Sequence, residues 1–200
     1  DARTPDFYAR RFNKIISLPK EESDNAQRVG RIKSFLVQAG KNPGTERKLK
    51  VLDMGAGLGV FLYAFLEKGW QGTAVEPDPD ASAHLARVLP KTRIFKADTD
   101  HLPQDLDKDH DLITFNRVLE HIKDPALALK RVLSHLAPQG IIYVEVPDVL
   151  SFYEDGPGNE AFGYGHYAVH SPLSLGLTAQ AAGLDLMHLN RVREPSGKFT

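Results

Sequence analysis

The chain has 200 residues, of which 42% are hydrophobic, so it is long enough for one domain with a sizeable core. Its 25 basic and 26 acidic side chains nearly cancel, which argues against nucleic acid or an anionic membrane surface as a partner. The absence of cysteine excludes disulfides, thiolate metal sites and a cysteine nucleophile within the chain, and it fits a reducing, cytoplasmic compartment. No apolar run approaches the roughly 20 residues that cross a bilayer.

The first 44 residues predict a tail and a cap helix. DARTPD is typical of a loose terminus, and we expect Tyr8, Arg10 and Arg11 to be exposed to solvent. Apolar residues at helical spacing predict a helix that begins at Ser23 or Asp24 and ends at Gly40. Turn-forming residues in KNPGTERK predict a surface connection to a domain over residues 45–200. Because the chain starts with aspartate rather than methionine, we expect this domain to be part of a longer protein.

From residue 48, short apolar segments alternate with helical patterns. The predicted strands are LKVLDM, QGTAVEP, TRIFKAD, HDLITFN, GIIYVEVPD and LDLMHLNRV, and the predicted helices are GVFLYAFLEKG, DPDASAHLARVLP, DPALALKRVLSHLAPQG and SPLSLGLTAQAAG. This alternation predicts an α/β fold whose doubly wound, mostly parallel sheet is covered by helices on both faces. The ligand crevice of such a sheet lies at the carboxyl ends of its central strands.

Three glycines, Gly55, Gly57 and Gly59, follow the first strand. Glycine adopts positive φ in a sharp strand-to-helix turn, and the bare main chain can approach a ligand closely. Close packing without a ligand is the alternative.

Glu76 ends the next strand, at the spacing where a carboxylate can accept hydrogen bonds from both hydroxyls of a ribose, although it could also cap the helix that follows.

Two features favour a nucleoside with an amino-acid tail over a dinucleotide. The dinucleotide fingerprint requires a third glycine at position 60, where this chain has Val60. Asp98 follows the third strand, where its carboxylate could accept a hydrogen bond from the exocyclic amine of adenine. A solvated loop acid is the alternative for Asp98.

Five segments, VLDMGAGLG, AVEPDP, ADTDHLP, DLITFNRVLEHIKDP and LAPQGIIYVEVPD, together resemble the class I S-adenosylmethionine-dependent methyltransferases over roughly residues 45–190. The resemblance implies S-adenosylmethionine as cofactor and S-adenosylhomocysteine as product. It also implies that Asp53 and the glycine loop hold the methionine portion, Glu76 the ribose, Asp98 and Thr99 the adenine edge, and the chain at Asn116 the ammonium group. The implied cofactor-binding residues are Asp53, Gly55, Ala56, Gly57, Glu76, Pro77, Asp98, Thr99 and Asn116.

The fold of this family has a seventh, antiparallel strand beside the sixth. Only REPSGKFT follows the predicted sixth strand here. We therefore expect the seventh strand to be missing or truncated.

Two histidines are candidates for catalysis. Methyl transfer requires alignment of donor and acceptor, and a general base only where the acceptor must lose a proton. His121, which follows the fourth strand, is the first candidate base and His166 is the second. The alternatives are that His121 bonds a main-chain carbonyl or Glu120, and that His166 holds its loop in place.

The RVLEH segment also resembles the quinone O-methyltransferases, some of which bind a divalent metal there through two acids and a histidine. Arg117 occupies the position of the earlier acid. A cation at a ligand position argues against a metal, so we expect none.

Residues 147–172 form a long irregular stretch that is rich in aromatic residues and glycine. Its length favours a functional segment, and its composition predicts a lid that excludes water and binds an apolar or ring-shaped acceptor. The aromatic residues could instead pin the loop to the sheet. The predicted lid residues are Arg117, Tyr153, Tyr164, Tyr167 and His170.

The leading functional hypothesis is methyl transfer from S-adenosylmethionine to a small molecule, with a sugar or polyketide-like acceptor preferred. We expect neither a nucleic acid nor a membrane partner. Two alternatives stay open: an NAD-linked oxidoreductase, and a non-catalytic S-adenosylmethionine-binding domain of a larger protein.

Overall fold

A computed structural model describes residues 5–41, 48–66, 69–156, 159–163 and 165–200. The helices are α1 (Pro5–Ile16), α2 (Asp24–Gln38), α3 (Val60–Phe65), α4 (Pro79–Val88), α5 (Pro125–Val132), α6 (Phe152–Asp155) and α7 (Pro172–Ala181). The strands are β1 (Leu49–Met54), β2 (Trp70–Val75), β3 (Arg93–Phe95), β4 (His110–Asn116) and β5 (Leu136–Glu145). Short 3-10 helices lie at Lys20–Glu22, Leu119–His121, Leu133–His135, Val149–Ser151 and Glu160–Phe162.

The described strands form one parallel sheet in the order β3-β2-β1-β4-β5. β1 is central and pairs with β2 on one side and β4 on the other. Both faces of such a strand are buried, which explains the continuous apolar runs in the sequence. The predicted doubly wound α/β fold is confirmed.

Successive residues of β1 contribute to two cores on opposite faces of the sheet. Val51 belongs to one apolar cluster and Leu52 to the other, because strand side chains alternate between faces. The helices contribute Val29, Ile32, Leu36, Phe61, Leu62 and Phe65 to the first cluster, and Ala128, Leu129 and Val132 to the second.

Capping residues fix where the helices around the sheet begin. The hydroxyl of Ser23 accepts a hydrogen bond from the N–H of Ala26 at 3.2 Å, as the sequence predicts for the start of α2. Asp78 and Asp124 cap α4 and α5 in the same way, each followed by proline at the first helical position.

The predicted loose tail is wrong for the described residues from Pro5 onwards, because these form α1. Tyr8 and Phe12 are both buried, and their rings lie 5.9 Å and 5.4 Å from the ring of His84 on α4. The expectation of solvent exposure therefore fails for Tyr8 and holds for Arg10 and Arg11. Residues 42–47 lie outside the described part, so the domain boundary near residue 44 stays a prediction.

The predicted sixth strand over residues 184–192 is wrong. Within the described part of the chain the sheet ends at β5, and this segment pairs with no strand of it. Leu186 and Met187 are consecutive and exposed, so the segment lacks a single apolar face that would fix a strand register. Val192 and Thr200 instead exchange main-chain hydrogen bonds of 2.8 and 2.9 Å, which close a small hairpin over REPSGKFT.

Two further features bear on the site. The helix predicted over residues 124–140 ends early, and Leu136 already begins β5. A cavity of about 560 Å³ lies beside β5, lined mainly by apolar residues of α2, β5, α7 and the segment after α7.

In the described ranges, no helix combines the length and apolar character that crossing a membrane requires.

Candidate active site

Asp53, at the end of β1, is a buried carboxylate with two side-chain donors. Its Oδ1 accepts hydrogen bonds from the hydroxyl of Thr114 at 2.7 Å and the amide of Asn116 at 2.9 Å. Burial raises the pKa of Asp53 to about 7, although these two bonds and the charge of Arg28 oppose the shift. A cation at this edge of the sheet would therefore stabilise the ionised carboxylate.

Glycine is needed at the three positions after β1 for different structural reasons. All adopt left-handed backbone conformations, with φ of 65° at Gly55, 52° at Gly57 and 75° at Gly59. A Cβ atom would lie 2.7 Å from a methyl of Val118 at Gly55 and 2.5 Å from a methyl of Leu85 at Gly59. At Gly57 the nearest described atom is 3.9 Å away, so the main chain there borders open space.

Glu76 ties the end of β2 to this glycine turn. One oxygen of its carboxylate accepts a hydrogen bond from the N–H of Gly57 at 2.7 Å, and the other accepts one from the N–H of Asp78 at 2.9 Å. A carboxylate offers about four acceptor positions, so a side chain of this type can accept from more than one donor at once. Ala56 is also buried in the turn, and its N–H donates to the carbonyl of Val75 at 3.2 Å.

A cavity of about 270 Å³ lies over the glycine turn and brings Gly57 and Glu76 together. Helix α1 forms its far wall with Phe7, Tyr8 and Arg11. The hydroxyl of Tyr8 donates to Asp78 at 3.2 Å. The sequence interpretation missed this wall, although aromatic residues at helical spacing in FYARRF signal a buried helix face. The larger cavity beside β5 contains no residue of the glycine turn.

Asp98 and its neighbours lie after β3. One oxygen of Asp98 accepts hydrogen bonds from the N–H groups of Asp100 and His101 at 2.9 and 2.8 Å. Partial burial opposes ionisation of Asp98, but the bonds from His101 and Asp100 lower its pKa overall. This geometry suits the alternative of a loop acid that stabilises a turn. Thr99 is half-buried and Pro77 is exposed, so contacts of these residues with a cofactor stay predictions.

The chain leaves β4 through a strained turn. Arg117 has a φ of 60°, which costs a non-glycine residue about 1–3 kcal/mol, and its N–H donates to the carbonyl of Glu145 at 2.8 Å. The preceding Asn116 has a buried side-chain oxygen without a hydrogen-bond partner among the described residues. The turn leads directly into the 3-10 helix that carries Glu120 and His121.

The structure brings the two candidate catalytic histidines together. Their ring centroids are 4.7 Å apart at an angle of 77°. The Nδ1 of His121 is 3.0 Å from the carbonyl oxygen of Gly165, and that of His166 is 3.0 Å from the carbonyl oxygen of Ala161. A nitrogen that bonds a carbonyl must carry the proton, so the neutral rings present Nε2 as acceptors. These contacts agree with both alternatives considered from the sequence.

Glu120, which the sequence suggests as a partner of His121 and as the later acid of the RVLEH segment, is the more unusual residue. Its side chain is 2% exposed, and its Oε2 accepts no hydrogen bond within the described ranges. Burial raises the pKa of this carboxyl. Its main-chain oxygen accepts hydrogen bonds from Tyr167 at 2.7 Å and Ala168 at 3.3 Å, which fasten the predicted lid to the end of β4.

The predicted lid residues differ in their surroundings. Tyr153 is 88% exposed and Tyr167 is 65% exposed, with the ammonium of Lys123 over the ring of Tyr167 at 5.4 Å. Tyr164 lies outside the described residues. His170 is 4% exposed, neither of its ring nitrogens has a partner among the described residues, and burial lowers its pKa, so its role in the lid stays a prediction.

An ion-pair network beside the site was not predicted. Arg28 on α2 forms a buried, two-pronged pair with Glu145 at the end of β5, and Arg31 pairs with Glu145 and Glu194. Burial opposes ionisation of Glu145, but the hydrogen bond from Arg28 lowers its pKa overall. The position of Arg28 on the apolar face of the predicted helix, next to Val29, was the available signal.

Comparison with known proteins identifies the family. A family model described as a methyltransferase domain matches residues 22–189. An uncharacterized methyltransferase of Mycobacterium tuberculosis is 33% identical over 91 residues, which are 46% of this chain. The match spans only 37% of the length of that relative.

Solved structures share the fold at low sequence identity. A SAM-dependent methyltransferase from Aquifex aeolicus has a TM-score of 0.64 and 16% identity, over 98% of this chain and 95% of its own. The 1,6-didemethyltoxoflavin-N1-methyltransferase of Burkholderia thailandensis, solved with 1,6-didemethyltoxoflavin and S-adenosylhomocysteine, has a TM-score of 0.65 and 21% identity, over 98% of this chain and 83% of its own.

The family match covers most of the chain, and the sheet order and glycine turn agree with it. The cofactor is therefore S-adenosylmethionine, and the alternative of an NAD-linked oxidoreductase is discarded. The chain belongs to the class I S-adenosylmethionine-dependent methyltransferases.

Proposed function

We propose that this domain transfers a methyl group from S-adenosylmethionine to a small-molecule acceptor, which binds beyond the carboxyl ends of β4 and β5. The observation that carries the proposal is the meeting of three features at one edge of the sheet. These are the open main chain at Gly57, the carboxylate of Glu76 tied to it, and the polar end of β4 at Asn116.

The residues at this edge fit the cofactor. The ionisable carboxylate of Asp53 and the unpartnered side-chain oxygen of Asn116 are buried acceptors, which suit an α-ammonium group. Glu76 can accept from ribose hydroxyls, and Gly57 leaves space for the methionine portion. Gly55 and Ala56 complete the turn, Pro77 follows Glu76 after β2, and Asp98 with Thr99 is the proposed adenine contact. When bound, the cofactor supplies a methyl group on a positively charged sulfur.

The protein contributes mainly by positioning the acceptor. In-line displacement requires the reacting atoms to be held about 3–3.5 Å apart and aligned. His121 and His166 present ring nitrogens as acceptors beside the end of β4, where either could take a proton from a hydroxyl or amine. Arg117 and the loop after β5 border the same space.

A small-molecule acceptor is supported by the Burkholderia relative, which was solved with 1,6-didemethyltoxoflavin. The exposed rings of Tyr153 and Tyr167 could stack on a ring-shaped acceptor, so a sugar or polyketide-like compound is our narrower proposal. A cytoplasmic location stays a prediction.

Methyl transfer in host extract tests the proposal. The chain is incubated with isotopically labelled S-adenosylmethionine, and small molecules that gain a labelled methyl group are identified by mass spectrometry. We expect labelled product with the wild type and none with Asp53→Ala. Tight cofactor binding without any labelled product would instead favour a non-catalytic domain.

A further inference from the structure

Three potential metal ligands converge beside the proposed acceptor site. Glu120 and His121 belong to the 3-10 helix after β4, whereas His166 comes from the loop after β5. One side-chain ligand atom from each of these three residues lies within 4.8 Å of the other two. Two atoms that share an ion at about 2.1 Å lie about 3–4 Å apart, so small side-chain rotations would bring these three into coordination distance.

The buried carboxylate is the second, independent observation. The side chain of Glu120 is 2% exposed, and its Oε2 has no hydrogen-bond partner in the part of the chain that the structure describes. Burying an unpaired carboxylate oxygen is costly unless a cation or a donor compensates. Arg117 is close enough for its charge to act on Glu120, but Oε2 still accepts no bond from it.

Both imidazoles are held as metal ligands usually are. A ligating histidine typically donates its second ring N–H to a carbonyl or carboxylate, which fixes the tautomer and the ring orientation. His121 and His166 each place Nδ1 at 3.0 Å from a main-chain carbonyl oxygen, of Gly165 and Ala161 respectively. The Nε2 lone pair of each ring is therefore available.

We propose that Glu120, His121 and His166 bind a divalent transition-metal ion. Two imidazole nitrogens and one carboxylate suit zinc, iron(II) or cobalt(II), whereas magnesium prefers oxygen ligands alone. This proposal replaces the expectation, based on Arg117, that the domain binds no metal.

The ion would join the predicted lid to the sheet, because His166 lies in the loop and the other two ligands follow β4. Main-chain bonds already hold the same two segments together, from Tyr167 and Ala168 to Glu120. Three protein ligands leave a fourth position open, as in catalytic zinc sites, where an oxygen of the acceptor can bind. Because the ion would occupy the Nε2 lone pairs of both histidines, the ion rather than either imidazole would then promote proton loss from the acceptor. This last role alone rests on the proposed function.

Metal binding is measured directly on the full chain. The protein is dialysed against zinc chloride and then against metal-free buffer, and bound zinc is quantified by mass spectrometry. Cobalt(II) serves as a spectroscopic probe, because its visible absorption reports nitrogen and oxygen ligands. We expect one tightly held ion per chain and a melting temperature that zinc raises and magnesium does not.

Single substitutions identify the ligands. Glu120→Gln, His121→Gln and His166→Gln should each weaken zinc binding at least about 100-fold, since even loss of an outer-shell partner costs 10–100-fold. His188→Gln is the matched control, because this exposed histidine stacks on Phe35 away from the cluster. Circular dichroism checks folding, and His121→Gln changes an exposed side chain, so unfolding cannot explain its loss.

Three results would overturn the proposal. Absence of bound zinc in the wild type would mean that the two imidazoles only pack against each other. Equal binding by all four variants would mean adventitious binding at other histidines. Equal stabilisation by magnesium would contradict the assigned metal class. Binding of S-adenosylhomocysteine, measured in parallel, should be unchanged in every variant, so this test is separate from that of the methyltransferase proposal.

Discussion

At the level of single residues, the ionised carboxylate of Asp53 lowers the stability of the folded protein, yet it is the form that we propose accepts the cofactor ammonium. Burial raises its pKa from 3.8 to about 7, so the native state holds the proton more tightly than the unfolded chain. The contribution of this group to the free energy of unfolding therefore falls as pH rises from about 4 to about 7, and it stays low above that. The carboxylate that we propose as the acceptor for the cofactor ammonium is therefore one that the cofactor-free protein ionises at a cost in stability.

Asp53→Asn should separate these two effects. The amide keeps an oxygen that can accept from Thr114 and Asn116, and it mimics the protonated acid. We expect the gain of the variant in unfolding free energy over wild type to grow with pH, from on the order of 1–2 kcal/mol at pH 5 to on the order of 4 kcal/mol at pH 8, and we expect weaker binding of S-adenosylhomocysteine. Urea denaturation at several pH values measures the first effect. A stability difference that does not change with pH would contradict the assigned pKa.

Glu76 is the residue on which the ribose assignment depends. Glu76→Ala should weaken binding of S-adenosylhomocysteine by about 1–3 kcal/mol through lost charge-assisted hydrogen bonds. Asp80→Ala, which removes an exposed acid of the neighbouring helix α4, is the control and should bind normally. Calorimetry measures both, and unchanged affinity in Glu76→Ala would rule out the ribose contact.

At the level of elements, the turn between β1 and α3 contains one glycine that packing requires, Gly59, and one that we propose borders the cofactor, Gly57. An alanine at either Gly57 or Gly59 bears the left-handed strain of about 1–2 kcal/mol. Only Gly59→Ala also collides with Leu85, which adds about 1–3 kcal/mol. We therefore expect Gly59→Ala to have the lower melting temperature. We expect Gly57→Ala to lose more affinity for the cofactor than Gly59→Ala does, relative to the stability that each variant loses. The reverse order would mean that Gly57 borders no ligand.

The loop after β5 can be tested through its attachment to β4. Tyr167→Pro removes the N–H that donates to Glu120, whereas Tyr167→Ala removes only the exposed ring. We expect the proline variant to be cleaved faster by protease in this loop and to lose turnover, while both variants bind S-adenosylhomocysteine normally. Because the ring of Tyr167 is itself a proposed acceptor contact, the rate of cleavage decides the outcome: equal cleavage of the two variants would show that the bond from Tyr167 to Glu120 does not hold the loop.

At the level of the whole molecule, local patterns predict the sheet and non-local contacts do not. LKVLDM and HDLITFN are apolar enough to be identified as buried strands, and β1 and β4 match them. The sixth strand was predicted from apolar content alone, but a strand also needs a hydrogen-bonded neighbour, which this segment lacks in the described chain. Helix α1 was taken for a tail because its burial depends on α3 and α4.

The candidate site follows the same division. Asp53, Gly57 and Glu76 could be located from their spacing, because carboxyl ends of neighbouring parallel strands meet at one edge. The meeting of Glu120 and His121 with His166 depends on how a long loop folds back over β4, and no short-range pattern encodes it. The pairing of Arg28 with Glu145, 117 residues apart, is hidden for the same reason.

A crystal structure with S-adenosylhomocysteine tests the central claim most directly. We predict a ligand whose ribose hydroxyls donate to Glu76, whose ammonium lies against Asp53 and Asn116, and whose amino-acid portion crosses Gly57. A ligand bound instead in the cavity beside β5, or bound at the glycine turn without contact to Glu76, would contradict it.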